Sequence, residues 1–262
     1  MSAAPGISVR DLTVAYGAFR AIENLTIDIP AGRIVGVVGP NGAGKTTLLN
    51  AITGFTHVSG GSIALDEVAV QDWSVRRRVA AGVVRGFQTV RLMERESVMT
   101  NVLVGLERTR QPGVLAQLLG LPPQPQARRR DLDAAHAVIT RLGLADVVHT
   151  RVDALPFASR RLVEVARVLV SRPSVVLLDE PAAGLDQAGR HELAAVLTQV
   201  HAEDGCTMVV VEHDVDLVQR LCQHALALDS GHLISEGAPA DVFATPEVQV
   251  AYFGRSHDAP AL

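Results

Sequence analysis

Gly39-Pro40-Asn41-Gly42-Ala43-Gly44-Lys45-Thr46 follows the apolar run Ile34-Val35-Gly36-Val37-Val38 and leads into a helical stretch from about Lys45 to Ile52. The octapeptide fits G-x-x-x-x-G-K-[ST] between a strand and a helix, the context in which that pattern has meaning. Its glycines let the backbone curl so that successive N–H groups converge on phosphate oxygens. The helix that starts at Gly44 or Lys45 turns its positive end toward the same point. Lys45 then reaches the β- and γ-phosphates, the Thr46 hydroxyl is offered to Mg2+, and Thr47 completes the nucleotide-binding stretch. ATP and Mg2+ are the expected ligands.

Working outward, Ile7 to Ala15 and Ala21 to Ile29 read as strands, with turn signals at Tyr16-Gly17-Ala18 and Pro30-Ala31-Gly32. Ser62 to Leu65 and Val83 to Phe87 read as extended, and Trp73 to Ala81 as helical. From Leu92 to Arg172 strand signals vanish. Leu132, Ala135, Ile139 and Leu142 recur at helical spacing, as do Leu162, Val165, Ala166 and Leu169. Prolines and glycines between Gln111 and Gln126 mark a loop or a broken helix. The sheet resumes at Val175 to Leu178. A helix carrying Leu193, Val196, Leu197 and Val200 then leads to the strand Thr207 to Val211, and a hairpin turns at Asp229-Ser230-Gly231. The expected fold is α/β: a phosphate-loop NTPase core with a mainly parallel sheet, an N-terminal antiparallel side sheet and an inserted helical lobe. Its boundaries are 1–91 and 173–254 for the nucleotide-binding lobe, 92–172 for the helical lobe, and 255–262 for a flexible tail, all within one domain spanning 1–262.

Composition narrows the class. The 262 residues carry a net charge of −4, without the basic surplus of a nucleic-acid binder. No apolar run approaches the roughly 20 residues that cross a bilayer. The N-terminus lacks a secretory pattern. Cys206 and Cys222 form no metal or disulfide motif, which fits a reducing cytoplasm.

Val175-Val176-Leu177-Leu178-Asp179-Glu180 ends an apolar strand in two carboxylates. Strand ends of open α/β sheets are where ligands bind. Asp179 then holds Mg2+, and Glu180 polarises an attacking water as general base. The bland reading is a solvated strand end that caps the next helix. His213 follows a second buried strand, between Glu212 and Asp214. It is either an exposed or structural histidine or a γ-phosphate contact.

The order of these segments resembles the ATPase subunits of ABC transporters over about residues 7–254. The phosphate loop comes first, then Gln88 in Arg85-Gly86-Phe87-Gln88, then the helical lobe. Asp179-Glu180-Pro181, Ala183-Gly184-Leu185-Asp186 and Glu212-His213-Asp214 follow. The resemblance implies that Tyr16 stacks on adenine, and that Gln88 senses Mg2+ and the attacking water while facing the membrane partner. It implies that Asp186 links two nucleotide sites across a dimer and that His213 is the switch histidine. Leu92, Val98-Met99-Thr100-Asn101, the Pro-rich excursion and Ala251-Tyr252-Phe253-Gly254 look like the branched-chain amino-acid import ATPases. That group also serves other small polar solutes. The implied partners are integral-membrane permease subunits, a second ATPase subunit and, indirectly, an extracytoplasmic solute-binding protein. The implied location is the cytoplasmic face of a membrane.

One stretch departs from the family. Its signature is usually Leu-Ser-Gly-Gly-Gln at a helix start, and here Leu155-Pro156-Phe157-Ala158-Ser159 precedes Arg160-Arg161-Leu162-Val163-Glu164. Pro156 has neither hydroxyl nor N–H, although it suits a helix start. Ala158 adds a Cβ where a phosphate presses close. A lost hydrogen bond to a charged group costs about 1.5–3 kcal/mol, or about 10- to 150-fold in rate if it acts in the transition state. Since each signature serves the partner's ATP in this family, the departure favours pairing with a different ATPase subunit.

Arg76-Arg77-Arg78 and Arg128-Arg129-Arg130 read as solvated helix faces, or else as contacts for acidic loops or lipid headgroups. Two further classes stay open: a nucleotide-gated regulatory subunit with weak hydrolysis, and the ATPase of a lipid or polysaccharide exporter. A soluble ABC ATPase of translation or DNA repair does not fit a chain with one ATPase unit and no long coiled coil. A small GTPase does not fit a chain without Asn-Lys-x-Asp.

Overall fold

The computed structural model describes residues 4–86, 92–107 and 125–254. Alternating apolar residues make Ile7–Tyr16 (β1) and Phe19–Ile29 (β2) an antiparallel pair, with Val9, Leu12, Val14, Ile22, Leu25 and Ile27 buried. One dry face and one wet face is the usual state of such a pair. Ile34–Val38 (β3) leaves for another sheet, while Gly60–Leu65 (β4) and the short Val68–Ala69 (β5) complete the side sheet in the order β2-β1-β4-β5. The second sheet adds Val83–Gly86 (β6), Val175–Asp179 (β7), Thr207–Val211 (β8), His224–Asp229 (β9) and His232–Gly237 (β10). Its order is β10-β9-β3-β8-β7-β6, parallel throughout except for the β9–β10 hairpin. Every residue of β3, β7 and β8 is buried. Strands covered on both faces read as continuous apolar runs for that reason.

Lys45–Thr53 (α1) follows β3, and its Leu48, Leu49, Ala51 and Ile52 join the core shared by both sheets. Val75–Ala80 (α2) is shorter than the expected 73–81. Ser74 caps it by accepting from the Arg77 N–H, which leaves Trp73 outside. The arginine run beside it is not a solvated face throughout. Arg78 is buried, and its guanidinium donates to the carbonyls of Ala51 and Ile52 at 2.5 and 2.6 Å, and to those of Gln71 and Trp73. It thereby satisfies the orphan carbonyls at the C-terminal end of α1, where the helix dipole favours a cation. Arg77 lies 4.1 Å over the Trp73 ring.

The chain divides into two compact units, one of Met1–Gln88 with Ser174–Leu262 and one of Thr89–Pro173. The second unit is built from Val98–Glu107 (α3), Pro125–Arg141 (α4) and Phe157–Leu169 (α5). Buried Asn101 on α3 accepts from the Met93 N–H at 2.8 Å and donates to the carbonyls of Met93 and Ser97, both at 3.0 Å. At Gly105 an added Cβ would stand 2.0 Å from the Arg167 carbonyl, so α3 and α5 meet backbone to backbone. On α4 the buried stripe is Ala135, Val138 and Ile139, continued by Leu142. Leu132, expected on that face, is 39% exposed. The helical period is right there, and its phase is off by part of a turn at the N-terminal end. Arg128, Arg129 and Arg130 are exposed. The Pro-rich segment lies outside the described residues, except Pro125 at the start of α4, and so does the 255–262 tail.

The first unit closes with Gln187–Asp204 (α6), Val215–Leu221 (α7), Pro239–Ala244 (α8) and Pro246–Phe253 (α9). The last three have no counterpart among the elements expected from sequence. No helix among the described residues is long and apolar enough to cross a membrane.

Candidate functional site

The parallel strands β3, β7 and β8 all deliver their C-terminal ends to one edge of the sheet. That edge carries the phosphate loop, Asp179–Glu180 and His213. Gly39 has φ +146, and a Cβ there would stand 2.1 Å from the Leu228 carbonyl, so no side chain fits where β3 turns into the loop. Gly44 has φ +99 and faces the Ala21 carbonyl at 2.9 Å in the same sense. Asn41 and Gly42 are exposed at the loop's crest, Ala43 is buried, and the Ala43 N–H donates to the Pro40 carbonyl at 3.2 Å. No side chain caps α1. Lys45 is buried, and its ammonium donates to the carbonyls of Gly39 and Pro40 at 2.6 and 2.9 Å. Burial lowers its pKa, and the Glu180 and Asp179 carboxylates oppose that shift. A helix start without a side-chain cap, an open glycine crest and one buried cation together fit a polyphosphate.

Asp179 is buried at the end of β7 and is not a solvated strand end. Its Oδ2 accepts from the Arg85 guanidinium at 2.6 Å, and its Oδ1 lies 3.5 Å from the Thr46 hydroxyl. Arg85 on β6 also donates to the Asn50 side chain on α1. A carboxylate and a hydroxyl oxygen side by side suit a hard cation that keeps phosphate and water as its other ligands. Among the described residues no group of three or more His, Cys, Asp or Glu could hold a metal ion. Glu180 sits at φ +49, a left-handed conformation that costs a non-glycine residue about 1–3 kcal/mol. Its N–H donates to the Val211 carbonyl at 2.9 Å, which ties the end of β7 to β8.

His213 stands just past β8 with an exposed ring, its Nδ1 3.9 Å from Glu212 Oε2. Glu212 is buried and accepts from the Ala182 N–H at 2.9 Å. Burial pushes its carboxyl pKa up, partly offset by that bond and by His213. Asp186 caps α6 by accepting from the Gly189 N–H at 2.8 Å. Arg190 on α6 donates to the Leu185 carbonyl and pairs with Asp214, the cap of α7. The segment around Asp186 is thus tied to the turn that follows His213. Tyr16 is half exposed at the β1–β2 hairpin, and its hydroxyl accepts from Thr56 at 3.1 Å. Gln88 lies outside the described residues.

In the second unit, Leu155 is buried, Phe157 is half exposed, and α5 begins at Phe157. Pro156 therefore occupies the cap position with φ −55 and ψ 152, one place before the helical start expected for it. Its carbonyl accepts the first helical bond, from the Arg160 N–H, and no side chain caps the helix. Arg160 turns its guanidinium back onto the carbonyls of Leu155 and Asp153 at 2.9 and 2.7 Å. Arg161 pairs with Glu164 at 2.7 Å and lies over the Phe157 ring. The backbone at Ala158 and Ser159 is what this helix start presents to an anion.

Sequence reasoning gave no role to Arg85, Arg190 or Glu212. Of these, Arg85 and Glu212 carried a signal, each standing within a motif.

The family described as ABC transporter matches residues 22–183. The chain is 31% identical over 252 residues to the high-affinity branched-chain amino acid transport ATP-binding protein BraF of Pseudomonas aeruginosa, covering 96% of this chain and 99% of that protein. It is 34% identical over 239 residues to the phosphonates import ATP-binding protein PhnC of Thiobacillus denitrificans, covering 91% and 89%. The crystal structure of the ADP conformation of an ATP-binding cassette of an ABC transporter matches with a TM-score of 0.84 and 25% identity, covering 95% of this chain and 99% of that one. The chain belongs to the ABC transporter family, among its ATP-binding subunits.

Proposed function

We propose that this chain hydrolyses Mg-ATP to drive uptake of branched-chain amino acids or similar small polar solutes, at the cytoplasmic face of a membrane. The observation that carries the chemical part is the shared edge of β3, β7 and β8, where Lys45, Thr46, Asp179, Glu180 and His213 collect. The solute class rests on similarity to BraF, and the likeness to PhnC keeps the class wide. In this reading Gly39 to Thr47 wrap the phosphates, and Lys45 leaves its loop carbonyls for the β- and γ-phosphate oxygens. Thr46 and Asp179, with Gln88, would hold Mg2+, and the ion would supply positive charge against that developing on the phosphates. Glu180 orients the attacking water for in-line displacement, while His213 and Lys45 stabilise the transferring group. Tyr16 stacks on adenine. Permease subunits, a second ATPase subunit and an extracytoplasmic solute-binding protein complete the assembly.

Pro156 at the cap of α5 favours a second reading, in which the partner's ATP is hydrolysed slowly and this chain pairs with a different ATPase subunit. The two readings separate in one experiment. Steady-state hydrolysis is measured for the purified chain alone and with Glu180→Gln, which removes a general base and lowers the rate by about 100- to 10,000-fold. A Glu180-independent rate refutes the mechanism. Tight ATP binding without turnover selects the second reading. Uptake of radiolabelled leucine by cells lacking this chain, compared with complemented cells, tests the solute class.

A further inference from the structure

The phosphate loop is held from a distant part of the chain. Helix α9 presents Val248, Ala251 and Tyr252 on one face, and the first two are buried. The Tyr252 ring lies edge-on to Phe243 of α8, with centroids 6.0 Å apart at 78°. Its hydroxyl oxygen accepts from the Gly39 N–H at 2.7 Å, across 213 residues of sequence. Gly39 is where the β3 ladder has ended, since Val38 pairs with Ala227 and no further register follows. A backbone N–H leaving a sheet there needs an acceptor, and Tyr252 supplies it. The same residue's carbonyl accepts the Lys45 ammonium at 2.6 Å. Two hydrogen bonds therefore run from α9 through Gly39 to the lysine. Gly39 itself is hemmed in by the Leu228 carbonyl. Burial, with the Glu212 carboxylate, raises the Tyr252 pKa against the lowering bond from Gly39, so the hydroxyl stays neutral at physiological pH.

We infer that Tyr252 is a positioning residue for the nucleotide site: its hydroxyl pins Gly39, and through Gly39 it sets the aim of the phosphate loop and Lys45. The inference rests on the phosphate-loop reading above and adds the C-terminal helix to that site. The pin acts on phosphates, so its loss weakens nucleotides that reach Lys45 and spares those that do not.

Tyr252→Phe keeps the ring on Phe243 and removes the hydroxyl that accepts from the Gly39 N–H. Affinities of the full chain for Mg-ATP, Mg-ADP and AMP are measured by calorimetric titration, beside the melting temperature and the amide exchange rate of Gly39. The expected result is ATP and ADP affinities lowered by about 2- to 12-fold, the range of one neutral hydrogen bond, with AMP affinity kept. Gly39 exchange accelerates, and KM for ATP rises more than kcat falls. Unchanged ATP affinity, or an equal loss for AMP, overturns the inference. If Tyr252→Phe does not fold, Gly39 exchange in the wild-type chain decides: a protected amide supports the pin, and an unprotected one overturns it. A wild-type chain that binds no ATP refutes the phosphate-loop reading instead, and Gly39 exchange still judges Tyr252.

Discussion

Helices α1 at Gly44 and α5 at Pro156 both start without a side-chain cap, and they are equipped very differently. The start of α1 has a buried lysine, a curled glycine loop, an adjacent hydroxyl and a carboxylate anchored by Arg85. Its far end is neutralised by the buried Arg78 guanidinium. The start of α5 offers backbone N–H groups behind a proline, with no side-chain cap. Its nearest cations, Arg160 and Arg161, are turned to the Leu155 and Asp153 carbonyls and to Glu164 and Phe157. A helix dipole offers a fraction of a charge. What separates a strong anion site from a weak one is the set of groups arranged around it. Among the described residues, the first unit carries that set, and the second does not.

The sharpest way to break this comparison is Arg85→Gln. Arg85 and Asp179 are both buried, and removing one partner of such a pair costs about 3–5 kcal/mol. Denaturant unfolding of the first unit measures it, and saturating Mg-ATP should restore part of the loss by returning a cation to Asp179. A loss below about 1 kcal/mol would mean that Asp179 is not held as tightly as this account requires. A smaller effect is expected at Glu212. Burial raises its folded pKa above the ordinary 4.5, so the folded state binds the proton more tightly than the unfolded chain. Wild-type stability therefore falls as pH rises through that raised value and stays lower above it. Glu212→Gln keeps an acceptor for the Ala182 N–H and removes the buried charge. It should stabilise the chain at pH 8, within the roughly 0.5–3 kcal/mol of an ordinary substitution, and the gain should vanish on acidification below the ordinary carboxylate range. Thermal melts across pH read it, and a gain that grows on acidification would reverse the sign.

The phosphate-loop end was largely legible from sequence because its chemistry is local. Glycine spacing, a lysine and a threonine sit within eight residues, and β7 and β8 announce themselves as apolar runs ending in polar residues. The supports were not legible, because they join distant segments. Arg78 lies in an arginine run that reads as solvent-facing, and only the fold brings it under α1. Arg85 meets Asp179 across 94 residues, and Tyr252 meets Gly39 across 213. Leu132 shows another limit: a helical period fixes spacing, and neighbouring elements choose which residues of the stripe are covered. At the α5 start, the sequence showed the missing hydroxyl at Pro156, but not that Arg160 is committed to backbone carbonyls.

The most direct test restores the weaker helix start. The Mg-ATP hydrolysis rate of the purified chain is compared with that of a Pro156→Ser, Ala158→Gly double variant across protein concentration. A restored hydrogen bond to a charged group that acts in the transition state predicts a rate about 10- to 150-fold higher, rising more than linearly with concentration as dimers form. An unchanged rate would contradict the claim that the α5 start limits hydrolysis.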